Sequence, residues 1–453
     1  MHTPDSTLVD AAIEFARQQL MVRRPLAGPK SSAELAALLA TAISDEGLGE
    51  DRAMAMFTDV VAASCMALDH ERVLAFVPAA PTPASLAADI MLASLNVIAD
   101  WWIEGSGAIA AENQALRWLA DEFGLPASAG GVFVSGATPG NLAALAAGRH
   151  WWRRQRNLHH DDNPPRNAIA ISAGGHASLK LVARTMDCQV LMVPADEQGR
   201  MTADHLIEAL DQWEAKGGAP VAVVAATGGT TNAGAVDHLD ELHEVCRARG
   251  LWLHVDAAYG GAAVLAASAR HLFEGIEHVN SLVVDPHKWL FSGYDSCALL
   301  YADARDGQAA HTQTGEYLDT LFVTPEWNPS DFAVHLTRRA RGVPFWFSLA
   351  VHGGNAYRAA VEECLDLARA AARLVDAADH VELLMEPELS VVLFRRVGWT
   401  RDQMQAWSDR MLATGFALVT PTTWADEPVF RFCFVNPRTT VNDIEQILEA
   451  LLD

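Results

Sequence analysis

The chain has 453 residues, half of them hydrophobic and a fifth charged, an ordinary globular balance that excludes a disordered or coiled-coil protein and leaves room for two or three domains. A formal net charge of −24, with no basic stripe, excludes a nucleic-acid footprint. No stretch of about 18 consecutive apolar residues is present, so no membrane span is expected.

The opening segment MHTPDSTLVDAAIEFARQQL has no basic start followed by an apolar run, so it does not read as a secretory leader. Cys65, Cys188, Cys246, Cys297, Cys364 and Cys433 stand far apart without a C-x-x-C pair, which implies reduced thiols and a cytoplasmic protein. Residues 1–75 read as amphipathic helices broken at VRRPLAGPK and DEGLGED, an N-terminal helical segment.

From about residue 85 the pattern changes. Helical stretches near 86–100, 108–123, 141–157, 202–215 and 238–249 alternate with short apolar runs: NAIAI, QVLMV, VAVVAA, LWLHVD, SLVV and CALLY. Near-continuous apolar strands separated by helices predict an α/β fold, with a mostly parallel sheet covered on both faces. Residues 303–343 lose that rhythm and read as a long, mobile loop. Beyond about 345, helices return with the strands SVVLFRR and VFRFCFV, which predicts a smaller α+β unit over 344–453 beside a large unit over 76–343.

Chemistry-bearing residues gather where strands of such a sheet end, which is where open α/β sheets bind ligands. VFVSGATPGNLAALAAGR reads as strand, turn and helix, with Thr138 as the expected N-cap and Pro139 as the first helical residue. Gly136 and Gly140 are expected to let backbone approach a ligand, and the helix N-terminus to accept an anion. HVDAAYGG puts Asp256 at a strand end, and AATGGTTNAG follows another strand with glycines and hydroxyls. SAGGHASLK delivers His176 near a helix start. SLVVDPHKWLF sets Lys288 into a segment that otherwise reads as core, and a dry pocket is expected to depress its pKa and make it a nucleophile toward carbonyls. An anion cradle, a carboxylate, an aromatic stacking partner and a buried amine are the set that pyridoxal 5'-phosphate requires.

With DPHKW downstream of HVDAAYGG, the chain resembles the group II pyridoxal-phosphate decarboxylases, which include the aromatic-L-amino-acid, histidine and glutamate decarboxylases. The likeness runs from about residue 70 to 440. It implies the type I aminotransferase fold, a homodimer with active sites at the subunit interface, residues 1–75 as a dimer arm, and α-decarboxylation of an amino acid. By the same resemblance Lys288 bonds the cofactor aldehyde, Asp256 keeps the pyridine nitrogen protonated, and His176 stacks on the ring. Ala137, Thr138 and Asn141 fall in the phosphate loop, with Asp285 and His287 as neighbours of the cofactor. Thr231 contacts it near its ring substituents, and Arg431 approaches the substrate carboxylate. Phe76, Trp101 and Trp102 lie in segments near the family's substrate pocket, which favours an aromatic or apolar amino acid.

The sequence departs from the family in two places. The phosphate turn reads Ala137-Thr138-Pro139-Gly140-Asn141 where glycine-threonine-acid-alanine-asparagine is common. Many members also carry a loop tyrosine that returns a proton to the substrate carbon; the expected position here, Trp327 to Phe332, holds none, and Tyr317 aligns with an earlier, structural tyrosine. His335 is then one candidate acid. Decarboxylation-coupled oxidative deamination, another carbon–carbon lyase or transaminase reaction, and a catalytically silent scaffold stay open. HHDD (159–162) has metal-type residues on a polar loop, and no metal site is expected there.

Overall fold

A computed structural model describes residues 6–78, 80–158, 164–313 and 326–452. The N-terminal helices are α1 (Ser6–Met21), α2 (Ser32–Leu39) and α3 (Glu50–Met56), and α2 starts at a capping box between Ser31 and Glu34. Then come α4 (Pro83–Leu95) and α5 (Trp102–Glu122). Thr82 caps α4 and Pro83 occupies its first turn, while Asn96 ends it in the left-handed region, so the helix stops short of the expected residue 100.

The large sheet is built from β1 (Gly130–Val134), α6 (Ala137–Arg154), β2 (Ala168–Ser172), α7 (Ala177–Thr185), β3 (Gln189–Val193), α8 (Ala203–Ala215), β4 (Val221–Thr227), α9 (Leu239–Arg249), β5 (Trp252–Asp256), β6 (Ser281–Val284) and β7 (Cys297–Tyr301). The strand order is β1-β7-β6-β5-β4-β2-β3. β3, β2, β4, β5 and β6 run parallel, and β7 pairs antiparallel with both β6 and β1. All residues of β2, β5, β6 and β7 are buried, as expected of strands covered on both faces. The carboxyl ends of β4 and β5, at Thr227 and Asp256, lie side by side in register.

Helix α10 (Ala304–His311) corrects the reading of 303–343 as a loop throughout: Asp303 caps it by accepting the Arg305 backbone N–H. Its short length and weak apolar periodicity hid it in the sequence. The returning segment is anchored by Arg338, whose guanidinium donates two 2.7 Å bonds to the buried Glu112 carboxylate and one to the Ala99 carbonyl. The expected loop residue Tyr317 and the HHDD stretch lie outside the described residues.

Helix α11 (Val343–Asp376) leads to a four-stranded antiparallel sheet of β8 (Val381–Leu383), β9 (Val391–Arg396), β10 (Pro421–Trp424) and β11 (Glu427–Cys433), in the order β10-β11-β9-β8. α12 (Arg401–Ala413) and α13 (Val441–Glu449) accompany it, and Phe394, Phe430, Phe432 and Trp407 fill the core between sheet and helices. Among the described residues no helix is long and apolar enough to cross a membrane, and all six cysteines are free thiols.

Candidate active site

A cavity of about 530 Å³ opens at the carboxyl ends of β4, β5 and β6. One wall is the N-terminus of α6. Its N-cap is Gly136 in an extended conformation, so Ala137, Thr138 and Pro139 are the first three helical residues. This corrects the expected cap at Thr138. Proline is still tolerated, because the first four backbone N–H positions of a helix have no partner within it. No side chain caps this end, which leaves the Ala137 and Thr138 amides as donors at the cavity wall.

Two expectations for this turn are overturned. A Cβ on Gly140 would stand 2.9 Å from Val283 Cγ1, so this glycine lets α6 close on β6 and has no part in ligand approach. Asn141 is fully buried: its amide donates to Asp256 Oδ2 at 2.8 Å, and its carbonyl oxygen accepts from His254 Nε2 at 2.9 Å. Four residues into α6 its side chain faces the sheet, so it is not a phosphate contact.

Lys288 follows β6 and lies with its Nζ 3.0 Å from Asp285 Oδ2. Burial works against its charge, but the carboxylates of Asp285 and Asp256 outweigh that and hold its pKa above the ordinary lysine value. The sequence suggested a dry pocket and a depressed pKa; it could not show two acids converging on the amine. His287 accepts the Ser296 backbone N–H at Nδ1 (3.0 Å), and burial lowers its pKa despite nearby Asp285. His176 caps α7, its Nδ1 accepting the Ser178 N–H at 3.2 Å, which leaves the proton on Nε2 and the ring exposed at the cavity edge. Thr231 also borders the cavity.

The structure therefore brings Lys288, Asp256, Asp285, His287, His176, Ala137, Thr138 and Thr231 to one cavity. It does not bring Arg431 into the lining. That guanidinium donates to two backbone carbonyls, Thr231 O at 2.9 Å and Phe76 O at 2.6 Å, rather than facing the cavity where a substrate carboxylate was expected. Phe76 and Trp101 are outside the lining as well. Phe76 has a left-handed backbone and a side chain 59% exposed, and Arg431 ties its carbonyl to the cavity's edge at Thr231. Trp101 is the residue before α5, half-buried, with its backbone N–H bonded to Asp100. His335 is not a lining residue; burial and then Arg338 and Arg341 push its pKa down to about 4, so it is a neutral ring rather than an acid at neutral pH. Trp327 stacks on Phe332 with centroids 4.1 Å apart, filling the segment expected to carry the loop tyrosine.

Sequence reasoning missed Thr227, Tyr294 and His254. Thr227 is the polar last residue of an apolar strand, a signal that was available. Its Oγ1 and Asp285 Oδ1 are buried and have no hydrogen-bond partner among the described residues, so the cavity holds polar atoms open to a ligand. Tyr294 lines the opposite side, with its ring 5.0 Å from that of His287.

An uncapped helix end, a carboxylate held in place and a lysine beside them share one cavity, and the pyridoxal-dependent decarboxylase conserved domain matches residues 32–397. The chain belongs to the pyridoxal-dependent decarboxylases. It is a pyridoxal 5'-phosphate-dependent carboxy-lyase acting on an amino acid. Among curated proteins it is 32% identical to the aromatic-L-amino-acid decarboxylase of Bacillus atrophaeus over 84% of this chain and 80% of that one. It is 27% identical to the L-2,4-diaminobutyrate decarboxylase of Acinetobacter baumannii over 92% and 86%. The crystal structure of mouse CSAD superposes with a TM-score of 0.89 at 25% identity, covering 98% of each chain. The decarboxylase family accounts for the seven-stranded sheet with its antiparallel β7, the type I fold expected from the sequence.

Proposed function

We propose that this decarboxylase removes the α-carboxylate of an L-amino acid with an aromatic or apolar side chain, in a cytoplasmic homodimer whose residues 1–75 form the dimer arm of a three-part chain (1–75, 76–343, 344–453). The observation that carries the reading is the convergence of Lys288 and Asp256 on a cavity walled by the N-terminus of α6. The Ala137 and Thr138 amides hold the phosphate. Lys288 is the amine that would bond the cofactor, and Asp285, 3.0 Å from its Nζ, holds it in place at the cavity. Asp256 would hold the pyridine nitrogen, His176 the face of the ring, and Asp285, His287 and Thr231 its edge. When bound, pyridoxal phosphate supplies the ring that accepts the charge left at the α-carbon as carbon dioxide departs.

Proton return at that carbon falls to groups at the cavity edge, the Nε2–H of His176 and the phenol of Tyr294, since His335 lies elsewhere. The substrate preference is supported by the Bacillus aromatic-L-amino-acid decarboxylase among the relatives and by Phe76, an exposed ring tethered to the rim.

A panel of amino acids on the holoenzyme, with carbon dioxide, amine, ammonia and peroxide followed together, tests the reading. Carbon dioxide with the amine of an aromatic or apolar substrate is the expected outcome. Carbon dioxide with ammonia and peroxide would replace it by oxidative deamination. A basic or acidic amino acid as the best substrate would overturn the preference, and an absence of carbon dioxide with every amino acid would overturn the reaction.

A further inference from the structure

Behind Asp256 lies a chain of buried polar groups that the reaction scheme above does not use. β5 alternates its side chains, so Trp252, His254 and Asp256 lie on one face, the face that α6 covers. Trp252 Nε1 donates to Ser281 Oγ on the neighbouring strand β6 at 2.9 Å. Ser281 Oγ stands 2.9 Å from His254 Nδ1, His254 Nε2 stands 2.9 Å from Asn141 Oδ1, and Asn141 Nδ2 donates to Asp256 Oδ2 at 2.8 Å. Trp252, Ser281, His254 and Asn141 are all essentially excluded from solvent.

Both ends of this chain have fixed polarity. An indole nitrogen only donates, and an ionised carboxylate only accepts. Every bond between them must then run the same way: indole to serine, serine hydroxyl to Nδ1, Nε2–H to the amide oxygen, amide N–H to the carboxylate. Reversing the bonds of Asn141 would turn its oxygen toward the oxygens of Asp256, and moving the neutral ring's proton to Nδ1 would leave the bare Nε2 facing the oxygen of Asn141. The other carboxylate oxygen accepts the Ala258 backbone N–H at 3.2 Å, so the plane of the group is set from both sides.

We propose that Trp252, Ser281, His254 and Asn141 form a one-way donor relay that positions the Asp256 carboxylate for the cofactor's ring nitrogen. This rests on the reading of Asp256 as that nitrogen's partner. The relay uses a neutral imidazole: burial pushes the pKa of His254 down to about 4, although Asp256 works to raise it. An imidazolium there would cancel the charge of Asp256 and compete with the pyridinium for it. A neutral ring lends a donor and leaves the negative charge to the cofactor. The other groups whose charge bears on this centre are Lys288, Asp285 and Cys297; the two carboxylates outweigh burial to hold Lys288 protonated, and burial first, then the same carboxylates, keeps the Cys297 thiol uncharged. The relay residues are positioning residues: each acts through Asp256.

The test uses holoenzyme loaded with pyridoxal phosphate labelled with 15N in the ring, comparing Asp256→Asn, Asn141→Leu, Asn141→Asp and His254→Leu. The 15N shift reads protonation of the ring nitrogen directly, and the 31P shift of the same cofactor reads its phosphate contacts. Both Asn141 variants are expected to move the 15N signal toward the neutral ring and leave 31P unchanged. Their kcat should fall about 10–100-fold, the usual cost of removing a partner that orients a site group, with KM held within about twofold. Asn141→Asp keeps the side chain's shape, so a failure of Asn141→Leu to fold leaves the test intact, and His254→Leu is expected to give a smaller shift of the same sign. A wild-type 15N signal in the Asn141 and His254 variants, with the signal moved in Asp256→Asn, would overturn the relay alone. An unmoved signal in Asp256→Asn would overturn the assignment of Asp256 itself. A moved 31P signal in the Asn141 variants would return Asn141 to the phosphate and also overturn the relay.

Discussion

The floor and the rim of the cavity are built on opposite terms. On the floor, Asp256, Asp285, Asn141 and His254 are buried, and their hydrogen bonds are mostly made within the chain. On the rim, His176, Thr231, Tyr294 and Phe76 are exposed, with Tyr294 at 51%. A buried polar group left without a partner costs about 1–3 kcal/mol, so the floor can hold its geometry before any ligand arrives. The rim is exposed to solvent, so water can satisfy its polar groups until something binds. On the proposed reading, the hold on the cofactor belongs to the floor, and proton return and selectivity to the rim, so substitutions should separate the two.

The largest effect is expected on the floor. Lys288→Ala should abolish turnover together with the visible absorbance of the bound cofactor, and a variant that keeps full activity would remove the basis of the site. Next comes the pH dependence of stability set by His254. Its pKa is about 4 in the folded chain against 6.5 when free, so the unfolded state binds the extra proton between those values. Stability from this residue is complete above about pH 6.5 and is lost as the pH falls toward 4, by about 3 kcal/mol in all. Urea unfolding should show a shallower loss over that window for His254→Leu than for the unaltered protein; equal slopes would mean that the ring is not buried neutral.

Effects at the rim are smaller and of another kind. Arg431→Met strands the Thr231 and Phe76 carbonyls and should cost about 2 kcal/mol or more in chemical unfolding. It should also raise KM more than it lowers kcat, whereas a carboxylate-binding arginine would reveal itself as lost kcat with loss of discrimination against decarboxylated analogues. Phe76→Ala, at an exposed position, should change stability by only about 0.5 kcal/mol. Its effect belongs to the ranking of substrates: kcat/KM for aromatic amino acids should drop relative to small ones, and an unchanged ranking would take Phe76 out of substrate choice.

Much of the site was legible because its chemistry is local. A carboxylate at the end of LWLHVD, a lysine after the turn of SLVVDPHK and a histidine ahead of a helix each stand out against apolar surroundings, and strand ends of a parallel sheet converge whatever the details. Short, weakly patterned elements were not legible: α10, β8 and β10 carry too few core positions to show a period.

The sequence by itself determined the α/β fold, the family and most of the residues that line the cavity, because apolar patterning and strand-end chemistry are properties of neighbouring residues. Only the tertiary structure decided what those residues touch. Asn141 looked like part of a phosphate loop and proved to be the buried donor to Asp256; Arg431 looked free for a carboxylate and proved to be committed to two carbonyls. Lys288 looked like an amine in a dry pocket and proved to sit between two acids. For Asn141 and Arg431 the deciding partners lie more than a hundred residues away, and for Lys288 one acid is three residues back and the other on the adjacent strand end; hydrogen bonding and charge depend on distance in space, which the order of the chain does not carry.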